Sequence, residues 1–176
     1  MSYTNKHTVI TGIHPINFND EAAVQLEIKQ FADKYVHDNV ENALVITPSN
    51  NIYTLRGNDA SVNPGIINRN ELKGSIVIHN HPPDWPDSFG RMDFASFFEY
   101  GFSHEDVIAK KLWNTMRYEG VTISTEQAIM LYNDAFNTVR NRAFIANIQI
   151  EREQLETMRE LSKIMKGLIF HEHTPF

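Results

Sequence analysis

The sequence contains no cysteine. Disulfides and cysteine-ligated metal sites are therefore excluded, and any bound metal must be held by histidine, carboxylate or backbone oxygen. The sequence also lacks an apolar run near the roughly 18 residues that a membrane-spanning helix needs. Its N-terminus has neither the basic nor the apolar segment of a secretory signal. We therefore expect a cytoplasmic protein that makes no membrane contact.

Blocks of lysine or arginine are also missing. The formal net charge is −6 and the pI is about 5.7, so the electrostatic attraction behind non-specific nucleic-acid binding is absent. Nucleic acid is not an expected partner. The chain has 176 residues, of which 41% are hydrophobic. This length allows one sizeable core, which predicts one main domain with room for an appendage.

The hydrophobic pattern predicts helices and strands in one mixed arrangement. In chain order these are a helix over 19–38, strands over 42–47 and 52–56 forming a hairpin, a buried strand over 75–79, a short helix over 93–100 and two strands within 107–118. Such an order predicts an α/β fold in which a mixed β-sheet is flanked by helices.

The C-terminal part of the sequence has helical periodicity. Ser124 followed by Gln127 has the form of a capping box, and two apolar stripes follow it, which indicates one interrupted helix or a helical pair. We therefore divide the chain into a main domain, 1–123, and a helical extension, 124–176. The extension is expected to pack on the domain or to form the contact of a homodimer. His171 and His173, near the end, are interpreted as part of a frayed tail.

The stretch His79-Asn80-His81-Pro82 begins where the buried strand is predicted to end. Residues two apart in a strand point to the same side, and Pro82 biases His81 toward an extended conformation. Both imidazoles can therefore face one ion. Asp93, at the start of the next helix, can return to the same point. Two imidazoles and one carboxylate leave the fourth tetrahedral position open, as a catalytic zinc site requires.

Hydrolysis of an amide also needs a base that takes a proton from water and delivers it to the leaving amine. Glu41 stands immediately before the first strand of the predicted hairpin. If that strand pairs beside 75–79, the Glu41 carboxylate comes close to the metal.

Each candidate residue also has a simpler interpretation. His79 and His81 could be ordinary histidines near a surface turn, and Asp93 could cap the following helix. Glu41 could be a solvated residue at the edge of a strand. Trp85, in the loop that follows, could line a substrate groove or anchor its own loop.

These residues resemble the JAMM/MPN family of zinc metallopeptidases. A glutamate opens a core strand, the segment GSIVIHNHPP ends a strand in His-x-His-Pro, and an aspartate begins a helix. The likeness covers roughly 19–118. It implies a mixed sheet similar to that of cytidine deaminases, with Zn²⁺ held by His79, His81 and Asp93. It also implies that Glu41 is the general acid and base.

The family places a serine three residues before the aspartate, where it stabilises the oxyanion. Here Gly90 occupies that position and Ser88 lies two residues earlier, because the loop is one residue longer. The expected oxyanion donor is therefore Ser88, reached by a different loop path, or a backbone N–H. Loss of one such donor can cost about two to three powers of ten in rate.

The resemblance implies a zinc-dependent hydrolase that uses metal-activated water to cleave peptide or isopeptide bonds in a protein or peptide substrate. Family members act on ubiquitin-like conjugates, sulfur-carrier tails and cell-wall peptides, and the compact chain suggests a bacterial or phage setting. The alternative is a binding or scaffold protein that kept this fold without catalysis. The letters His-Asn-His also suggest an HNH nuclease, although that motif spreads these residues over a hairpin and a helix.

Overall fold

The computed structural model describes residues 7–110, 112–149 and 152–173. They form an α/β fold built on a mixed seven-stranded sheet, which confirms the predicted fold class. The strands are β1 (Val9–Pro15), β2 (Asn42–Thr47), β3 (Asn51–Arg56), β4 (Ile76–Asn80), β5 (His104–Ile108), β6 (Trp113–Tyr118) and β7 (Leu168–His173). The helices are α1 (Glu21–Tyr35), α2 (Arg69–Leu72), α3 (Arg91–Tyr100), α4 (Thr125–Ala146) and α5 (Glu153–Ile164), with a 3₁₀ turn at Pro64–Ile66.

The strand order in the sheet is β1-β3-β2-β4-β5-β6-β7. β4 and β5 are parallel, whereas the other neighbouring pairs are antiparallel. Parallel neighbours need a crossover connection, and α3 provides it. The carboxyl ends of β4 and β5 therefore lie at the same edge of the sheet. The chain leaves the sheet at this edge after β4 and returns to it through α3 to form β5.

Helices cover both faces of the sheet. Alternate residues of β4 divide between the two faces, because successive side chains in a strand point to opposite sides. Ile78 packs with Ile28 of α1 on one face. Val77 lies in the other core, with Phe94 of α3 and Met158 of α5. All six residues of β2 are buried, and the four apolar residues between Asn42 and Thr47 are typical of a central strand.

The boundaries of α3 bear directly on the candidate site. The helix begins at Arg91, two residues before the predicted start, with Gly90 as its N-cap, so Asp93 lies within the first turn. It ends at Tyr100 and is capped by Gly101, whose φ of 69° lies in the left-handed region that glycine adopts most easily. Three residues later β5 begins at His104, ahead of the predicted 107, because Glu105 and its charged neighbours hid the start of a buried strand.

The C-terminal region contains a helical pair, one of the two predicted alternatives, and an additional strand. Ser124 and Gln127 form the predicted capping box at the start of α4. The interpretation of His171 and His173 as a frayed tail is wrong, because both belong to β7, which pairs with β6. The Thr115 Oγ1 to His173 Nε2 distance is 2.9 Å. Residue 174 and those after it lie outside the described residues, and the boundary at residue 123 stays a prediction.

The C-terminal region also shares its core with the rest of the sheet. Tyr132 of α4, Leu161 of α5 and Leu168 of β7 belong to the same buried cluster as Val77 of β4. Among the helices that the structure describes, none is both long and apolar enough to cross a bilayer.

Candidate metal centre

The two histidines lie where β4 ends. The N–H of His81 donates to the carbonyl oxygen of Ile108 at 2.9 Å, which extends the ladder between β4 and β5 by one step. The chain is therefore still extended at His81. His79 and His81 accordingly turn their rings to the same side, and their Nε2 atoms are 3.2 Å apart. Both side chains are buried, so neither is an ordinary histidine at a surface turn.

Asp93 completes a group of three donors. Its Oδ1 is 3.8 Å from His79 Nε2 and its Oδ2 is 3.8 Å from His81 Nε2. The three donor atoms lie within 4.8 Å of one another. A tetrahedral ion with bonds of about 2 Å requires its ligand atoms to be roughly 3.3 Å apart. The spacing is close to this requirement, so the group could hold a metal ion.

The remaining ring nitrogens of the histidines also have acceptors. His81 Nδ1 donates to the carbonyl oxygen of Pro86 at 2.7 Å. His79 Nδ1 lies 3.5 Å from Glu105 Oε1. A histidine whose Nδ1 carries the proton presents an unprotonated Nε2, the form that binds a metal. The His81 ring is thus held with Nε2 free for coordination, and Glu105 lies near the Nδ1 atom of His79.

The electrostatics of His79 favour the same form. Its burial lowers its pKa to about 4, since desolvation outweighs the attraction of Asp93. His79 is therefore neutral at pH 7, and a cation can bind it without displacing a proton.

Asp93 combines capping with its place in the donor group. The N–H of Gly90 donates to Asp93 Oδ2 at 2.7 Å, so the carboxylate caps the first turn of α3. The same hydrogen bond fixes the side chain so that Oδ1 faces His79. The two interpretations of Asp93 are therefore compatible.

Glu41 lies on the same face of the sheet as His79. β2 pairs with β4 so that Ala43 lies opposite His79, and Glu41 is two residues upstream. Glu41, His79 and Asp93 line a cavity of about 30 Å³, a size that holds a water molecule. Glu41 is only 6% exposed, so it is not a solvated residue at a strand edge.

The Glu41 carboxyl group favours its neutral form in the absence of a cation. Burial, followed by repulsion from Asp93, raises its pKa to about 8, although a hydrogen bond from the Val62 N–H opposes the shift. This N–H donates to Oε2 at 2.9 Å. A positive charge at the donor group would offset both causes of the raised pKa.

Glu105 is a site residue that the sequence reasoning missed. It lines the same small cavity, and it is 3% exposed. Its Oε2 is buried without a hydrogen-bond partner among the described residues. Burial, together with Asp93 and Asp106, raises the pKa of Glu105 well above its ordinary range. The only sequence signal is its period of two with Val107, which places both residues on the same face of β5.

A second, larger cavity of about 600 Å³ lies beside the loop that connects β4 to α3. Trp85, Lys110, Phe136 and Gln154 are among the residues that line it. Trp85 is 40% exposed. Its position favours the interpretation in which Trp85 lines a groove.

Ser88, the expected oxyanion donor, lies in the buried part of the loop before α3, and its catalytic role stays a prediction. Its side chain is fully buried and its Oγ has no hydrogen-bond partner in the described part of the chain. It lines neither the small nor the large cavity.

The loop that carries Ser88 is held by the C-terminal helices. The Tyr132 hydroxyl on α4 donates to the carbonyl oxygen of Phe89 at 3.1 Å. Arg152, at the start of α5, pairs with Asp87 at 3.2 Å. These contacts fix the loop between His81 and Asp93, so α4 and α5 help to position the donor group.

Comparisons with protein-family models, curated proteins and solved structures gave no match for this chain.

Proposed function

We propose that this protein is a zinc-dependent hydrolase of the JAMM/MPN type that cleaves a peptide or isopeptide bond in a protein or peptide substrate. One observation supports it above the others. Two histidine Nε2 atoms and the Asp93 carboxylate converge beside a small cavity, and the buried carboxyl group of Glu41 faces the same cavity. A donor group with an adjacent acid is what hydrolysis by metal-activated water requires.

His79, His81 and Asp93 would hold the ion. Their donor set of two imidazoles and one carboxylate is typical of a catalytic zinc site with one open position. A zinc ion supplies Lewis acidity, which polarises a carbonyl group and lowers the pKa of water. His81 is held for this role by Pro86, and Asp93 by the Gly90 N–H.

Glu41 would act as the general base and then as the general acid. Its carboxylate is ionised once a cation offsets the repulsion from Asp93, so it can accept a proton from water. Oε2 is fixed by the Val62 N–H, which leaves Oε1 to carry the proton. Delivery of that proton to the leaving amine completes the cleavage of the amide bond.

The experiment compares Glu41→Gln and His79→Ala with the parent protein on a library of peptide and isopeptide substrates. We expect Glu41→Gln to keep its zinc while hydrolysis falls by about two to four powers of ten. His79→Ala should lose both zinc and activity. If Glu41→Gln cleaves at the parent rate a substrate that His79→Ala cannot cleave, another residue is the base.

The second candidate function is a binding or scaffold protein with the same metal centre. Gly90 favours it, because no side chain is present at the position where enzymes of the JAMM/MPN family carry their serine. This candidate predicts one zinc per chain with no hydrolysis of any substrate in the library. The homodimer through the C-terminal helices stays a prediction, which the molar mass in solution tests.

A further inference from the structure

Gln154 borders the space beside the donor group that a side chain at residue 90 would enter. It is the second residue of α5, and it is distant from the metal ligands in sequence. A Cβ atom on residue 90 would lie 3.3 Å from Asp93 Oδ2 and 3.4 Å from Gln154 Nε2. The Gln154 amide group and the Asp93 carboxylate therefore approach the same point from two sides.

The amide group of Gln154 is also incompletely hydrogen-bonded. Its Oε1 is buried and has no partner among the residues that the structure describes. Burial of an amide oxygen without a partner costs free energy. The side chain also lines the large cavity with Trp85 and Phe136, and its amide group lies near the same point beside Gly90 as the Asp93 carboxylate. A substrate entering the cavity would therefore meet the amide group next to the donor group.

Hydrolysis of an amide needs a hydrogen-bond donor at this place. Attack on the carbonyl carbon builds negative charge on the carbonyl oxygen, and a fixed donor from asparagine, glutamine or a backbone N–H stabilises it. Gly90 has no side chain, and the Ser88 hydroxyl faces neither cavity. We propose that Gln154 is a catalytic residue whose Nε2 donates a hydrogen bond to this oxygen, in place of a side chain at residue 90. This inference rests on the proposed hydrolase function.

The first test removes the donor without touching the metal ligands. In Gln154→Ala we expect kcat to fall by about 10- to 1,000-fold, with a much smaller change in KM. Zinc content and zinc Kd should equal those of the parent, since Gln154 does not belong to the donor group. Gln30→Ala is the matched control, because Gln30 is exposed on α1 at the opposite face of the sheet. The control should match the parent in every measurement.

The second test restores a hydrogen-bond donor by placing a serine hydroxyl at residue 90. Gly90 has a φ of −80°, which serine adopts without strain, and serine is a favoured N-cap residue. In the parent, Gly90→Ser brings its Cβ against Gln154 and Asp93, so we expect a lower Tm and lower activity. In Gln154→Ala the contact with Gln154 is gone and only the one with Asp93 Oδ2 remains, so Gly90→Ser should raise kcat at least about tenfold above that single variant, in line with the worth of one donor. The effects of the two substitutions on Tm should be non-additive.

The outcomes separate this inference from the function on which it rests. A parent that binds no zinc overturns both. A parent that hydrolyses its substrate while Gln154→Ala retains the parent kcat overturns the role of Gln154 alone.

A parent that binds zinc without hydrolysis overturns the hydrolase proposal, and the affinity of the zinc-loaded protein for inorganic phosphate then decides the donor role. Weaker phosphate binding by Gln154→Ala than by Gln30→Ala supports the donor, and equal binding overturns it.

Discussion

The Nδ1 atom of His81 lies 2.7 Å from the carbonyl oxygen of Pro86. A carbonyl oxygen accepts only, so the proton must reside on Nδ1, and Nε2 is free to bind a cation. We expect the ¹⁵N spectrum of the protein to show His81 protonated at Nδ1 with and without zinc. Zinc should shift the Nε2 resonance alone. A proton found on Nε2 in the loaded protein would show that His81 does not coordinate through this atom.

Asp93 can be tested for its two roles separately. In Asp93→Asn the amide oxygen still accepts from the Gly90 N–H, whereas the loss of charge weakens metal binding. In Asp93→Ala both interactions are lost. We therefore expect both variants to lose zinc affinity, and only Asp93→Ala to lose about 1 kcal/mol of metal-free stability through the missing cap. Urea unfolding of the metal-free proteins measures this difference, and equal stability of the two variants would contradict the capping role.

Glu105 is expected to orient the His79 ring through its Nδ1 atom, the ring nitrogen that does not face the donor group. Glu105→Ala removes the acceptor near His79 Nδ1. Loss of a group that orients a metal-binding histidine typically lowers metal affinity by about 10- to 100-fold. Glu105→Gln retains an oxygen that can accept and should bind zinc more tightly than Glu105→Ala. Competition with a chelator measures both affinities. Parent-like zinc binding by Glu105→Ala would contradict this role.

The sequence predicted the parts of this site that depend on short-range pattern. Apolar runs marked β2 and β4, and the period of two in a strand placed His79 and His81 on one side. The position of Glu41 depended on strand register, which the sequence does not determine, because a slip of one residue turns a side chain to the other face.

The missed residues have physical reasons of their own. Glu105 is an acid inside a buried strand, so the hydrophobic pattern argues against its true position. Gln154 reaches Gly90 only through the packing of α5, a tertiary contact that no local pattern encodes. β7 is an apolar triplet, 168–170, followed by His171-Glu172-His173, and this short pattern was obscured by its place near the end of the chain.

The metal-free protein should lose the Glu41 contribution to its stability as pH rises from 4.5 to about 8. The pKa of Glu41 is raised from 4.5 to about 8 in the folded state, so the folded protein retains a proton that the unfolded chain releases. Stability therefore falls between these two values. The lowered pKa of His79 acts oppositely, because it destabilises the folded state only as pH falls below 6.5 toward 4.

The window from pH 6.5 to 8 therefore isolates Glu41 from His79. Across it we expect the Glu41 contribution to fall by about 1 to 2 kcal/mol. Glu41→Gln has no titrating group at residue 41, so its free energy of unfolding should change less across this pH window by the same amount. Urea unfolding at each pH measures it. Bound zinc should also reduce the pH dependence of the parent. A parent and a Glu41→Gln variant with the same pH dependence would contradict the raised pKa.

Ser88 provides a contrasting case, because its buried hydroxyl lines neither cavity. Ser88→Ala should change kcat by less than about twofold, well below the loss expected for an oxyanion donor. Steady-state kinetics beside Gln154→Ala makes the comparison. A larger loss in Ser88→Ala than in Gln154→Ala would assign the donor to Ser88.

The central claim is that His79, His81 and Asp93 form a zinc site, and elemental analysis tests it most directly. The parent, His79→Ala and Gln30→Ala are stripped with chelator, reconstituted with zinc, and freed of excess metal. The account predicts one zinc per chain in the parent and in Gln30→Ala, and only background zinc in His79→Ala. Zinc absent from the reconstituted parent, or retained in full by His79→Ala, would contradict it.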